Sequence, residues 1–497
     1  MTTVPKHRRV SLVVAVLLLG LLALLAGGRQ YWVTWALETG LRRAGAEEIG
    51  FNVTQVSPGR IEIADLHFRV RALSVSIRRV TSVRDHWWTP SLGVVRVEEF
   101  QAPLTIDDSD TNPWAWATYR NGGSGSLPVK MPVEQIFLDG QVLVQAAALK
   151  DQAVSVKVEI SRLEGDRWSG MVRADGAGLV LRATGELDPA AQALIFELGE
   201  SAVDLAVWQG FVQRLVLFPG GALELAGKIT ADAKGRYAGK TLNASGQVRL
   251  RDGSARNAAR GVTATGIEAD LAFADFARFQ SKPGTLRVSE IRVGQLVLRD
   301  VAAGFAFAGP AEIDVSQASL QALGGRVAAE PFKYFLNLRE LEAVLSVDGI
   351  SVAEVMALTP DLPAKASGQV NGRLPIRIDS GGLRLGSGWL ELRPGVYAEV
   401  QFKASGLLTG GLAAGSPSYA VLQKIEAGLL KLKLTTLRLE VRPPDAPAGR
   451  SARLHLEGEP VDREVKAPVI LDLNVNGPIE RLLDLGLDSR VSFSGKQ

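Results

Sequence analysis

The chain contains no cysteine. Thiol catalysis, disulfide bridges and cysteine-ligated metals are excluded at once. Histidine is scarce too: His7, His67, His86 and His455 are the four, scattered and without the i, i+4 spacing of a zinc helix. No phosphate-cradling glycine loop, dinucleotide fingerprint or nucleophile elbow is present, and "GGSGS" (122–126) lacks the closing glycine of the last of these. Asp108, Asp110 and Asn112 have the spacing of a calcium loop. Pro113 stands where that loop needs glycine, and Tyr119 where it needs a bidentate glutamate. These absences point away from an enzyme and away from any cofactor or metal. Charge of one sign is lacking as well, with 56 Lys and Arg against 53 Asp and Glu, so nucleic acid is not an expected partner.

What is abundant is apolar residues, at 46%, and glycine, at 52 residues. Lys6, Arg8 and Arg9 precede an uncharged run from Val10 to Gly28. At about 1.5 Å per residue that run spans roughly 28 Å, the thickness of a bilayer's hydrocarbon layer. Tyr31, Trp32 and Trp35 come immediately after it, and amphipathic rings settle at the membrane–water interface. A cleaved signal peptide is the competing reading, with Ala26 and Gly28 as small cleavage-site residues. The length of the run and the rings favour an uncleaved single-pass anchor. Its cationic flank places residues 1–9 in the cytoplasm and the bulk of the chain outside it.

A short helix is expected within "WALETGLRRAGAEEIG", and strands from Phe51 onward. "AVSVKVEIS" (153–161) is representative, with Val154, Val156, Val158 and Ile160 on one face and Ser155, Lys157 and Glu159 on the other. "IEIADLHFRV" alternates, slips at Ala64-Asp65 and resumes, which predicts a bulge or turn. Strands of 5–8 residues recur, closed by Gly, Asp or Asn, with helices expected only at 201–215, 351–359, 418–430 and 479–487. At 12–14 residues per strand and turn, residues 50–497 would supply about 30–35 strands.

One-sided strands must cover their apolar face with another sheet, with helices or with a ligand. Helices are too few to do it, and no shift of composition between 130 and 470 marks a sandwich domain. The expected fold is therefore mainly β. An N-terminal transmembrane helix leads into one long, twisted, curled antiparallel sheet that forms an open hydrophobic groove, with a few short helices. Such a surface exceeds what a soluble protein exposes without purpose, and beside a membrane anchor it implies acyl chains as ligand.

The stretch "LQALGGRVAAEPFKYF…GRLPIRIDSGGLRLGSGWLELRPG" (320–395) resembles the carboxyl-terminal domain of AsmA-like, YdbH-type envelope proteins. The likeness lies in the strand at Gly324–Val327, the helix at Ile350–Leu358, the turn at Gly368–Pro375 and the close at Gly388–Gly395. "YAVLQKIEAGLLKLKLTTLRLEVRPPD" (419–445) resembles that family's tyrosine-containing helix, long apolar strand and loop, and "PVILDLNVNGPIERLLDLGLDS" (468–489) is similar to its ending. The resemblance implies an inner-membrane-anchored, periplasmic bridge of a Gram-negative envelope, carrying phospholipid between inner and outer membranes. It divides the chain into a tail (1–9), an anchor (10–28), a membrane-proximal β region (29–129), a central groove (130–319) and a C-terminal domain (320–497). Val154, Val156, Val158, Ile160, Leu374, Ile376, Ile378, Leu432 and Leu434 would line the groove. Val491 and Phe493 would form a free edge strand open to β-augmentation, with an outer-membrane lipoprotein as candidate partner. Two alternatives stay open: an assembly factor for outer-membrane proteins, and a β scaffold with a dry core.

Overall fold

The structure is a computed structural model. It describes residues 29–43, 45–57, 59–70, 73–84, 92–106, 133–146, 149–209, 223–239, 241–336, 340–358, 364–379, 382–402, 409, 413, 416–442, 450–461 and 468–476. The expected anchor 10–28, the helix 479–487 and the edge residues Val491 and Phe493 lie outside them. Among the described residues, no helix is long and apolar enough to cross a membrane.

Helix α1 (Arg29–Arg43) leads into β1 (Ala46–Val56), β2 (Arg60–Val70), β3 (Leu73–Val83) and β4 (Val94–Ile106). Next come β5 (Gln135–Ala146), β6 (Leu149–Arg162), β7 (Trp168–Gly176), β8 (Leu179–Asp188) and β9 (Ala193–Asp204). The chain continues through β10 (Glu224–Ala238), β11 (Thr241–Asn257), β12 (Val262–Asp275), β13 (Gln280–Ser281), β14 (Gly284–Val293) and β15 (Leu296–Gly309). After these come β16 (Glu312–Ala322), β17 (Gly325–Ala329), β18 (Phe332–Phe335), β19 (Glu340–Ser351) and α2 (Val352–Ala357). Last are β20 (Ala364–Ala366), β21 (Gln369–Asp379), β22 (Gly382–Leu385), β23 (Gly388–Leu392), β24 (Ala398–Phe402), α3 (Pro417–Leu430), β25 (Lys431–Val441), β26 (Arg450–Pro460) and β27 (Val469–Asn476).

The 27 described strands are assigned to one large sheet in which β4 and β5 run parallel, so it is mixed rather than purely antiparallel. Contacts divide the chain into two compact units. Unit one comprises Met1–Val216 with Ala231–Asn243, and unit two Leu217–Thr230 with Ala244–Gln497. Within unit one, β1 to β9 pair in sequence order. Within unit two, meander pairing runs from β11 to β27. The short strands β17 with β18, and β22 with β23, share the two ends of a longer neighbour.

The strands are longer than alternation alone suggests; β11 has 17 residues. The reason lies in residues that read as turns but act as bulges. Asp65, Glu99, Asp252 and Asp300 adopt left-handed φ of 53°, 52°, 52° and 50° inside β2, β4, β11 and β15. The pairing register shifts at each of them. One extra residue is absorbed and the strand continues with stronger twist and its apolar face restored. The slip at Ala64-Asp65 is thus a bulge.

Helices form where local chemistry starts them. Ser351 caps α2 by accepting from the Glu354 N–H at 3.4 Å. Ser416 caps α3 by accepting from the Tyr419 N–H at 3.2 Å, with Pro417 opening the first turn. At 201–215 only residues 205–209 are described as helical, because Ser201–Asp204 complete β9. Likewise "AEEIG" belongs to β1 rather than to the preceding helix.

Gly140 on β5 shows how tightly the sheet is closed. A Cβ there would stand 2.2 Å from the Phe100 ring and 2.2 Å from the Phe100 carbonyl oxygen. Gly140→Ala is expected to cost about 1–3 kcal/mol through overpacking. Chemical denaturation of the full chain, followed by amide exchange in β4 and β5, checks this.

Candidate functional site

Register turns separate alternations into continuous rows. In unit one, Val53, Ile63, Val80, Val97, Leu138, Val158, Val172, Ala183 and Leu198 stand directly opposite one another, one from each of β1 to β9. In unit two, Leu250, Ala269, Leu286, Ala303, Ala318, Ala329, Leu345 and Leu374 do the same across β11, β12, β14, β15, β16, β17, β19 and β21. Every member of both rows is apolar. Of the seventeen, only Ile63 is buried; the others are partly open. No second layer covers these rows among the described residues, which separates this sheet from a sandwich, whose inward rows vanish into a core.

The other face is wet. One residue along the strands from the first row, Arg79, Glu98, Asp139, Lys157, Arg173 and Arg182 form a charged row across β3 to β8. In unit two the equivalent row reads Glu268, Arg287, Ala302, Ser319, Ala328, Ser346 and Arg373, polar but for two small alanines. Phe137 is one aromatic on that side, and Arg96 lies over its ring at 4.8 Å from the centroid. Exposed ion pairs of this kind contribute about 0–1 kcal/mol each. Their effect is on register, since a one-residue slip would bring charges to the apolar face.

Cover is local. In unit one, Trp208 from the helical turn packs with Val144, Val154 and Ala174, and its indole N–H donates to the Ala177 carbonyl at 2.9 Å. In unit two, Val352 of α2 joins Val347, Ile350 and Val370. A third cluster holds Ala398, Val400, Leu432, Leu434 and Leu456, and α3 lies against the same strands, β24, β25 and β26.

The nine residues expected to line a groove therefore fall into two environments. Val156, Val158, Ile160, Leu374 and Ile376 are half-buried and Ile378 is exposed. Val154, Leu432 and Leu434 are 3%, 1% and 4% exposed, inside the clusters just described. The first four expected residues share β6; Leu374, Ile376 and Ile378 share β21; Leu432 and Leu434 share β25. Sequence reasoning missed Trp208, Ala398, Val400 and Leu456. It also missed most of the second row, whose alanines carry too weak a hydropathy signal to stand out.

α1 presents Tyr31, Trp32 and Trp35, exposed by 69%, 59% and 55%, with the rings in edge-to-face contact at 6.1 and 6.2 Å. α1 packs on β1, the first strand of the first row.

His455 is not the isolated histidine its sequence neighbourhood suggests. On the wet face of β26, its Nδ1 lies 3.0 Å from Asp472 of β27 and its Nε2 3.1 Å from Glu457. Asp472 first, then Glu457, raise its pKa, while partial desolvation opposes them. Arg453 also reaches Asp472, and Arg438, directly opposite His455, is engaged with Glu440 and Glu391. A raised folded-state value means that the stabilisation is complete below the unfolded value of about 6.5 and is lost as pH rises through the folded one. Protection of β27 from amide exchange, corrected for intrinsic rates, is expected to fall as pH rises above the ordinary histidine value of about 6.5. His455→Gln should abolish that dependence.

The YdbH-like family, described as intermembrane phospholipid transport protein YdbH, matches residues 136–397, from β5 through β23. This interval contains the stretch 320–395 and runs back through the featureless middle of the sequence; the similar stretches at 419–445 and 468–489 lie beyond it. No curated protein and no solved structure matches. With more than half of its length inside that match, the chain belongs to the YdbH-like intermembrane phospholipid transport family.

Proposed function

We propose that this protein is a non-enzymatic bridge that carries phospholipid between inner and outer membranes. Acyl chains would run along the half-buried apolar rows while headgroups stay in water. The observation that carries this reading is the register of those rows: apolar at every strand, uncovered by a second layer among the described residues, and backed by a wet face. A structural scaffold has no use for such a surface, and a handler of polypeptide needs free strand edges more than apolar rows.

Residues 10–28 would anchor the chain in the inner membrane, with Tyr31, Trp32 and Trp35 at the headgroup level and the remainder in the periplasm. β1 would then begin the lipid path beside the donor bilayer. Val491 and Phe493 would offer an edge strand to an outer-membrane lipoprotein. No energy source is encoded, so flow would follow a gradient or a partner.

The lack of native cysteine makes the topology directly testable. A membrane-impermeant maleimide should label Ser346→Cys from the periplasmic side, and Thr3→Cys only after the inner membrane is breached. The reverse pattern would overturn the anchor. For the ligand, the purified full chain should retain phospholipid extractable by organic solvent; a lipid-free chain that takes up none from labelled vesicles would overturn transport.

A further inference from the structure

The charged row beside the first apolar row ends differently from how it begins. Through β3 to β6 its charges answer one another, Arg79 with Glu98 at 3.6 Å and Lys157 with Asp139 at 3.3 Å. β7 and β8 then add Arg173 opposite Lys157, and Arg182 opposite Arg173. Neither arginine has an ion-pair partner among the described residues. Like charges directly opposite on adjacent strands, with Cβ atoms about 5 Å apart, repel and weaken the ladder unless an anion lies between them.

The three cations line a cleft of about 530 Å³, together with Ser155, Asp175 and Val180. The Ser155 hydroxyl has no hydrogen bond among the described residues. Asp175 is the sole carboxylate in the lining and Asp139 answers Lys157 from beside it, so the two arginines leave the cleft a cationic excess. Two guanidinium forks, an ammonium and a hydroxyl around one space offer more donors than a carboxylate can accept, and they suit an oxyanion with three or four oxygens. Arginine forks engage such oxygens in pairs.

We propose that this cleft on the wet face of β6, β7 and β8 binds a phosphate-bearing anion through Lys157, Arg173 and Arg182. The anion is either a phospholipid headgroup or a free phosphate compound. The site lies on the opposite face from the apolar rows and does not rest on the transport reading.

Arginine modification by phenylglyoxal, read by mass spectrometry on the detergent-solubilised full chain, tests it. Arg287, exposed on the wet face of β14, is the internal control. Inorganic phosphate, or monomeric dihexanoyl-phosphatidylglycerol, should slow modification of Arg173 and Arg182 several-fold relative to Arg287, at ionic strength matched with chloride. Lys157→Gln should weaken that protection. Protection by inorganic phosphate alone assigns a free phosphate compound; protection by the short-chain lipid alone assigns a headgroup. No protection by either, or equal protection of Arg287, overturns the site. Neither of those failures would touch the apolar rows, which are tested separately.

Discussion

Replacing Val158 and Val172 together by aspartate is expected to stop phospholipid transfer while leaving the chain folded. The two residues face each other across β6 and β7, in the middle of the first apolar row. Both are half-buried, so the carboxylates reach water and the sheet survives. An acyl chain sliding past them must cross charge, at a cost of about 2.5–3.5 kcal/mol by analogy with a charged side chain in hydrocarbon. That barrier corresponds to roughly a hundredfold slower transfer. Fluorescent-phospholipid transfer between vesicles by the full chain reads the rate, and circular dichroism the fold. Thr184→Asp, an exposed position on the wet face, should leave transfer unchanged. Equal transfer by the double variant and the parent would mean that lipid does not use this row.

Leu432→Ala should do the opposite. Leu432 is 1% exposed, packed among Ala398, Val400, Leu434 and Leu456. Truncation leaves a cavity and costs about 2–5 kcal/mol. The loss should appear as faster amide exchange in β24, β25 and β26 and as a lower denaturation midpoint, with transfer per folded molecule preserved. A cost well under about 1 kcal/mol would show that the cluster relaxes or that its cover is loose. The pair of variants separates two kinds of apolar residue that look identical as sequence: those that close the sheet locally and those left half-open.

That separation marks how far the sequence could be read. Val154, Val156, Val158 and Ile160 alternate cleanly, and their shared face comes from pleat geometry alone. Whether each is covered depends on what lies above it. Trp208, more than fifty residues downstream, closes over Val154 and not over Val158. Leu432 and Leu434 read like any other alternating pair; their cover comes from tertiary packing that spacing does not encode. The alanines of the second row, such as Ala303 and Ala318, carry little hydropathy and become part of an apolar surface only through register. Asp252 and Asp300 read as turn residues, yet each is a bulge inside a long strand, because a left-handed residue can serve either purpose. Glu457 sits two residues from His455 on the same face, so half of that cluster was legible. Asp472 arrives only with the pairing of β27.

The polar row has the same origin. Asp139 with Lys157 could be guessed from neither strand alone, since the pairing of β5 with β6 creates it. The cationic excess at Arg173 and Arg182 likewise exists only across the ladder.

The central claim is that the uncovered apolar rows carry acyl chains. The most direct test places a photo-crosslinking amino acid at Val172 and at Leu345, with Thr184 and Ser346 as wet-face controls, in cells fed labelled phospholipid. Label captured at Val172 and Leu345 and not at the controls is the predicted result. Equal or absent label at all four positions would contradict it and leave the rows as protein-facing surface.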